Sequence, residues 1–181
     1  ARARAGLGVR RTFQHQRAIE AITVGDYLRL AAGGGTRTAD SGRTAGSDRT
    51  DAARSERIAA VGVFLGLPEP RVPIRLMDAG SRRVLEIAGA LASGPRLLLL
   101  DEPAAGLGDA ESLALAERVR RIPAEFGCAV LLIEHDMRFV RAASTRTTVL
   151  DDGRLIAAGQ TSEVLGDPRV IDAYLGRETA S

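Results

Sequence analysis

The sequence predicts an α/β fold whose core strands run parallel and carry functional side chains at their carboxyl ends. Three observations point there. Leu97–Leu100 is a run of four leucines that halts at Asp101–Glu102–Pro103. It is too short to span a membrane and suits a strand buried on both faces. Ala129–Ile133 is a second apolar run, halting at Glu134–His135–Asp136. Between the two, Leu113, Leu115, Val119 and Ile122 recur at helical spacing, which is the crossover a parallel pair needs.

Ligands of open parallel sheets sit at the carboxyl ends of the strands. An Asp there can hold a metal-bound water, and the Glu after it can take a proton from a nucleophilic water. An unpaired buried charge is costly, so acids at a strand end rarely lack a task. Read alone, the first phrase is equally a strand followed by an acidic turn. A lone histidine is ordinarily structural, but His135 stands where the first strand presents its acids, and that coincidence favours function.

Composition sets the bounds. A chain of 181 residues makes one domain with room for a subdomain. Its aromatic content of 3% means that the core is aliphatic. Every basic residue is Arg; there is no Lys. Cys128 is the only cysteine and sits in an apolar run, which marks an inert buried thiol. No apolar segment reaches spanning length, so a cytoplasmic protein is expected. The chain opens at Ala1, in the middle of an Arg-rich phrase, and reads as a fragment of something longer.

The elements follow in order. Residues 1–17 carry five arginines with little to stack on a base, so a solvated basic face is expected rather than a nucleic-acid site. Ile19–Leu30 reads as a helix with Thr23 as N-cap. Residues 33–54 are almost devoid of apolar side chains and are expected to form a mobile loop. Ser55–Leu67 is helical, with Ile58, Val61, Val63, Phe64 and Leu65 as its apolar set. A helix from about Arg82 to Ser93 buries Val84, Leu85, Ile87, Ala88 and Leu91, and Gly80 before it leaves N–H groups for an anion. Asp109 is expected to cap the helix that runs to about Phe126, with Pro123 kinking or shortening it and Gly127 closing it. Met137–Ser144 is a short helix. Asp152–Gly153 marks a hairpin between Thr147–Asp151 and Arg154–Ala158. Thr161–Leu165 and Arg169–Leu175 are short closing helices.

Taken together, Phe13–Gln14, Gly80 before a helix, Leu97–Pro103 and Ile133–Asp136 resemble the nucleotide-binding subunit of ABC transporters. Three phrases resemble in particular the ATPase subunits of branched-chain amino acid importers: Arg11–Gln14, Leu85–Ala88 and the closing Asp167–Gly176. Pro103–Leu107 fits as well. The resemblance covers nearly the whole chain apart from residues 33–54. It implies a partial P-loop NTPase fold: parallel core strands, a helical subdomain, and a C-terminal β-hairpin with short helices. Residues 1–18 would be the Q-loop region and 19–92 the helical subdomain that docks on a membrane permease. Residues 93–181 would complete the ATPase core.

The resemblance also assigns roles. Asp101 would act on Mg²⁺ through water, with Gln14 near the same ion. Glu102 would polarise the attacking water, and His135 would contact the γ-phosphate. The loop 77–81, aligned through Leu85–Ala88 on the family's L-S-G-G-Q, would meet ATP held by the opposite subunit through Asp78, Gly80 and Ser81. Gly106 would belong to the same nucleotide contacts. ATP and Mg²⁺ are the implied cofactors. The implied partners are a permease and a second ATPase subunit, at the inner face of the plasma membrane, and no nucleic acid.

Four features depart from the family pattern. The phosphate loop G-x-x-x-x-G-K-[ST] is absent, and a chain without Lys cannot hide one. The first strands and the adenine-stacking aromatic are absent too. Asp78 stands for a serine and Ser81 for a glutamine. Gly108 stands where Asp or Asn is usual. The expectation is an importer ATPase that is inactive as this chain alone, set against a degenerate, non-catalytic interaction protein.

Overall fold

In the computed structural model, which describes residues 8–12, 21–33 and 45–178, three strands form one parallel sheet. They are β1 (Val9–Arg11), β2 (Leu97–Asp101) and β3 (Ala129–Ile133), in that spatial order. Leu97 lies opposite Ala129 and Asp101 opposite Ile133, so β2 and β3 end together. β1 was not foreseen: part of the basic stretch pairs with β2 instead of lying solvated, because Val9 and the backbone of Arg10 and Arg11 complete the ladder.

Both apolar runs are strands, but neither is buried on both faces. Side chains alternate across a strand. Leu98 and Leu100 are inaccessible, whereas Leu131 and Ile133 are 60% and 64% exposed. The covered side faces α3 (Ala79–Ala92) and α4 (Asp109–Phe126), whose Leu85, Ile87, Leu91, Leu115, Val119 and Ile122 join Leu98 and Leu100 in one core. The opposite parity meets no comparable layer among the described residues.

The helices mostly start and stop for local reasons. Thr23 caps α1 (Val24–Ala31), accepting the Asp26 N–H at 3.2 Å, as expected. The loop expected over 33–54 is overturned in its second half. Ala45–Arg54 is helical and continuous with α2 (Ala45–Leu65), and residues 34–44 lie outside the described ones. A polar stretch can extend a helix whose other half is packed, because propagation adds a hydrogen bond for each residue fixed. Asp51 and Arg54 pair at 2.8 Å one turn apart. In the packed half Val61 and Leu65 are buried, but Val63, expected in the apolar set, points outward.

Asp109 is not the cap of α4. Gly108 holds that position and donates its N–H to Glu111 Oε2 at 3.1 Å. Asp109 instead receives Arg138 in a two-pronged bond of 2.9 and 3.0 Å. Leu113 is likewise half exposed rather than part of the buried stripe. Pro123 sits inside the helix without shortening it, and Gly127 closes it at φ 62.

The hairpin and the closing helices have a small core of their own, whereas Phe139 and Ala143 of the helix before them belong to the main one. α5 (Met137–Ala143) leads into the antiparallel hairpin β4 (Arg146–Asp151) and β5 (Arg154–Gln160). Its turn is the expected Asp152–Gly153, both at positive φ. α6 (Thr161–Val164) and α7 (Pro168–Glu178) close over a small core of Ala157, Val164 and Val170. No helix among the described residues is long and apolar enough to cross a membrane.

Candidate functional site

Because β2 and β3 are parallel and end in register, whatever follows each strand emerges on one edge. Glu102 follows β2, and its N–H extends the ladder to the Ile133 carbonyl at 2.9 Å. Its φ is +46, a conformation a residue with a Cβ seldom adopts. His135 follows β3. Its Nδ1 lies 3.9 Å from Glu102 Oε1 and 3.9 Å from Glu134 Oε2. These gaps are too long for direct hydrogen bonds and leave both Glu102 and the imidazole open to a third group between them.

Asp101 closes β2. Its carboxylate accepts from Arg11 Nη2 at 2.6 Å, across the β1–β2 boundary. Arg11 thereby supplies positive charge where the resemblance expects a cation. Among the described residues no group of three or more His, Cys, Asp or Glu is arranged to hold a metal. Mg²⁺ commonly binds through one or two carboxylates together with phosphate oxygens and waters. Asp101 suits that donor set, and only in company with phosphate. Gln14, the other expected neighbour of the ion, lies outside the described residues.

The loop 77–81 is mostly helix. α3 begins at Ala79, three residues earlier than expected, because Asp78 is a strong N-cap. Its carboxylate accepts the Ser81 N–H at 2.7 Å and the Ser81 hydroxyl at 3.0 Å. The backbone bond first, and the hydroxyl second, hold its pKa below the usual carboxylate range. Asp78 thus takes an N–H of the helix terminus that an incoming anion would otherwise use. Gly80 has a packing reason of its own. A Cβ there would come 2.7 Å from Leu107 Cδ2, so the turn fits closely against the loop that follows Glu102. Gly106, in that loop, sits at φ +79.

Two charged residues in the site escaped the sequence reading. Arg83 on α3 is 10% exposed and donates to the carbonyls of Asp101 and of Glu102, the latter at 2.8 Å. Glu134, 1% exposed, accepts the N–H groups of Ala104 at 2.9 Å, His135 at 3.0 Å and Asp136 at 3.4 Å. Periodicity held the signal for both. Arg83 falls on the stripe of Ile87 and Leu91, four and eight residues on, and Glu134 continues the inward parity of Val130 and Leu132.

The fold is that of solved ATP-binding cassettes. The ADP conformation of an ATP-binding cassette of an ABC transporter superposes with a TM-score of 0.73 at 22% identity, covering 96% of this chain and 70% of that one. Residues 154–180 match the family model described as branched-chain amino acid ATP-binding cassette transporter. LivG of Salmonella typhimurium, a high-affinity branched-chain amino acid transport ATP-binding protein, is 37% identical over 179 residues, covering 95% of this chain and 69% of LivG. BraF of Pseudomonas aeruginosa, described in the same words, is 36% identical over 176 residues, covering 93% of this chain and 68% of BraF. The chain belongs to this family of ABC transporter ATP-binding proteins.

Proposed function

We propose that this chain supplies the acid–histidine edge of an ATP-hydrolysing subunit that drives import of branched-chain amino acids. The observation that carries the reading is the convergence of Glu102 and His135 on one edge, 3.9 Å apart, beside Asp101. Phosphoryl transfer asks for positioning and charge compensation more than for covalent chemistry. Asp101 would hold Mg²⁺ through water, and the ion when bound neutralises phosphate charge. Gln14 would stand near it. Glu102 accepts a proton from the attacking water, which the open side of its carboxylate allows. His135 donates toward the γ-phosphate from the facing loop. Asp78, Gly80, Ser81 and Gly106 would meet nucleotide across an interface with a second ATPase subunit. The helices between Ile19 and Leu91 would dock on the permease at the inner membrane face. The family names of LivG and BraF support the substrate class.

A second reading is a non-catalytic partner in such an assembly; these 181 residues contain no Lys and so no G-x-x-x-x-G-K-[ST] loop of their own. The two readings are separated by extending the chain at its N-terminus with the phosphate-loop segment of a relative. Under the first reading, Glu102→Gln keeps nucleotide binding and lowers turnover about 10²–10⁴-fold, the usual worth of a general base. His135→Ala also cripples turnover. Unchanged hydrolysis in both variants would show that these roles are misassigned. The 181-residue chain alone is expected to show no Mg²⁺-dependent turnover.

A further inference from the structure

We infer that Arg83 and Glu134 form a two-sided polar clamp that sets the position of Glu102 relative to His135. The inference rests on the reading of Glu102 as the base. Glu102 has a Cβ and a φ of +46, so surrounding structure must hold it there. Pro103 has no N–H with which to help. Beside the backbone bond of the Glu102 N–H to Ile133, side-chain hydrogen bonds reach the segment 101–104 from two nearly buried charges of opposite sign, on elements either side of it. From α3, one amino group of Arg83 takes the carbonyls of Asp101 and Glu102 together. From the end of β3, Glu134 takes the N–H of Ala104.

Each charge has a further attachment that decides what the clamp connects. Arg83 also pairs with Glu86 at 3.0 Å, one turn on, which braces its side chain against α3, the helix that Asp78 caps. Glu134 also takes the N–H groups of His135 and Asp136. One carboxylate thus orients the loop after β2 and the loop after β3 at once, so the two move as one body. A desolvated carboxylate keeps such bonds strongly, because charged acceptors form the stronger hydrogen bonds and burial penalises any that is left unmade. Glu134 and Arg83 are positioning residues: their hydrogen bonds go to the backbone of the two loops, and Glu134 Oε2 approaches the imidazole only to 3.9 Å.

The test is amide hydrogen exchange by NMR on the 181-residue chain, with the His135 imidazole signals followed at constant pH. Glu134→Gln keeps the shape but replaces one acceptor with a donor. It is expected to speed exchange about tenfold or more at Ala104 or at the His135–Asp136 pair, and to move the imidazole signals. Arg83→Met is expected to do the same at Ala105, whose N–H bonds the Glu102 carbonyl at 3.1 Å, with Arg83→Lys intermediate. Leu98 and Leu100 should exchange as in the wild type throughout. If Arg83→Met does not fold, Arg83→Lys and Glu134→Gln carry the comparison. Wild-type exchange at Ala104, Ala105, His135 and Asp136 overturns the clamp, as do imidazole signals that do not move in the Arg83 variants; Arg83 makes no hydrogen bond or ion pair with His135, whereas the Glu134 charge lies 3.9 Å from the ring and would shift its signals directly. No nucleotide enters the measurement, so absence of ATP turnover in the N-terminally extended protein would refute the proposed function while leaving the clamp intact.

Discussion

Truncating leucines of opposite parity in the sheet should separate its covered face from its open one. Leu98 of β2 is fully inaccessible and lies in the main core. Leu98→Ala should cost about 2–5 kcal/mol, the transfer loss plus the cavity left behind. Leu131 of β3 is 60% exposed, so only about two-fifths of its side chain leaves water. At about 2–3 kcal/mol for complete burial, Leu131→Ala should cost about 1 kcal/mol, and no enclosed cavity adds to it. With a urea dependence of about 2 kcal/mol per molar, the midpoint should fall by about 1–2.5 M for Leu98→Ala and by about 0.5 M for Leu131→Ala. Urea unfolding followed by circular dichroism measures both. Equal shifts would refute the reasoning, since they require a layer over Leu131 and Ile133. Repeating the measurement at several protein concentrations shows whether a second copy supplies that layer, because self-association raises the midpoint with concentration.

Asp78 sets a pH dependence. Its folded pKa is depressed by the Ser81 N–H and hydroxyl, so its contribution is present above the unfolded value and is lost as pH falls through the folded one. The Tm gap between wild type and Asp78→Ala should therefore close below about pH 4, and a gap unchanged in acid would rule the cap out. Asp78→Ser preserves a cap while removing the charge. In the N-terminally extended protein it should strengthen ATP-driven dimerisation, with salt narrowing the difference; weaker dimerisation would mean that Asp78 does not face phosphate. Cys128 is buried, and desolvation pushes its thiol pKa up. It should react with a thiol reagent at the rate of global unfolding, and prompt labelling of the native chain would show that it is accessible.

Local signals in the sequence determined the punctuation of this fold. Thr23 caps a helix, Gly127 closes one, and Asp152–Gly153 turns the hairpin, because capping and positive-φ geometry depend on a few neighbouring residues. The two strand ends were legible as well, since each apolar run stops at a charged phrase. Their meeting on one edge follows from parallel pairing in register.

Only the tertiary structure decided which face of each strand is covered. Leu97–Leu100 and Ala129–Ile133 read alike in sequence, but the helices line one parity of the sheet and leave Leu131 and Ile133 open. It also decided that Ala45–Arg54 is helical, because a packed neighbouring turn can carry polar residues that would not form a helix alone. The same holds for the charges at the site. Arg11, Arg83 and Glu134 are ordinary surface residues by type. They take on their tasks because distant segments bring Asp101, two backbone carbonyls and the Ala104 N–H within hydrogen-bonding reach; periodicity turns Arg83 and Glu134 inward, but a long-range meeting leaves no local spacing that says what they bond.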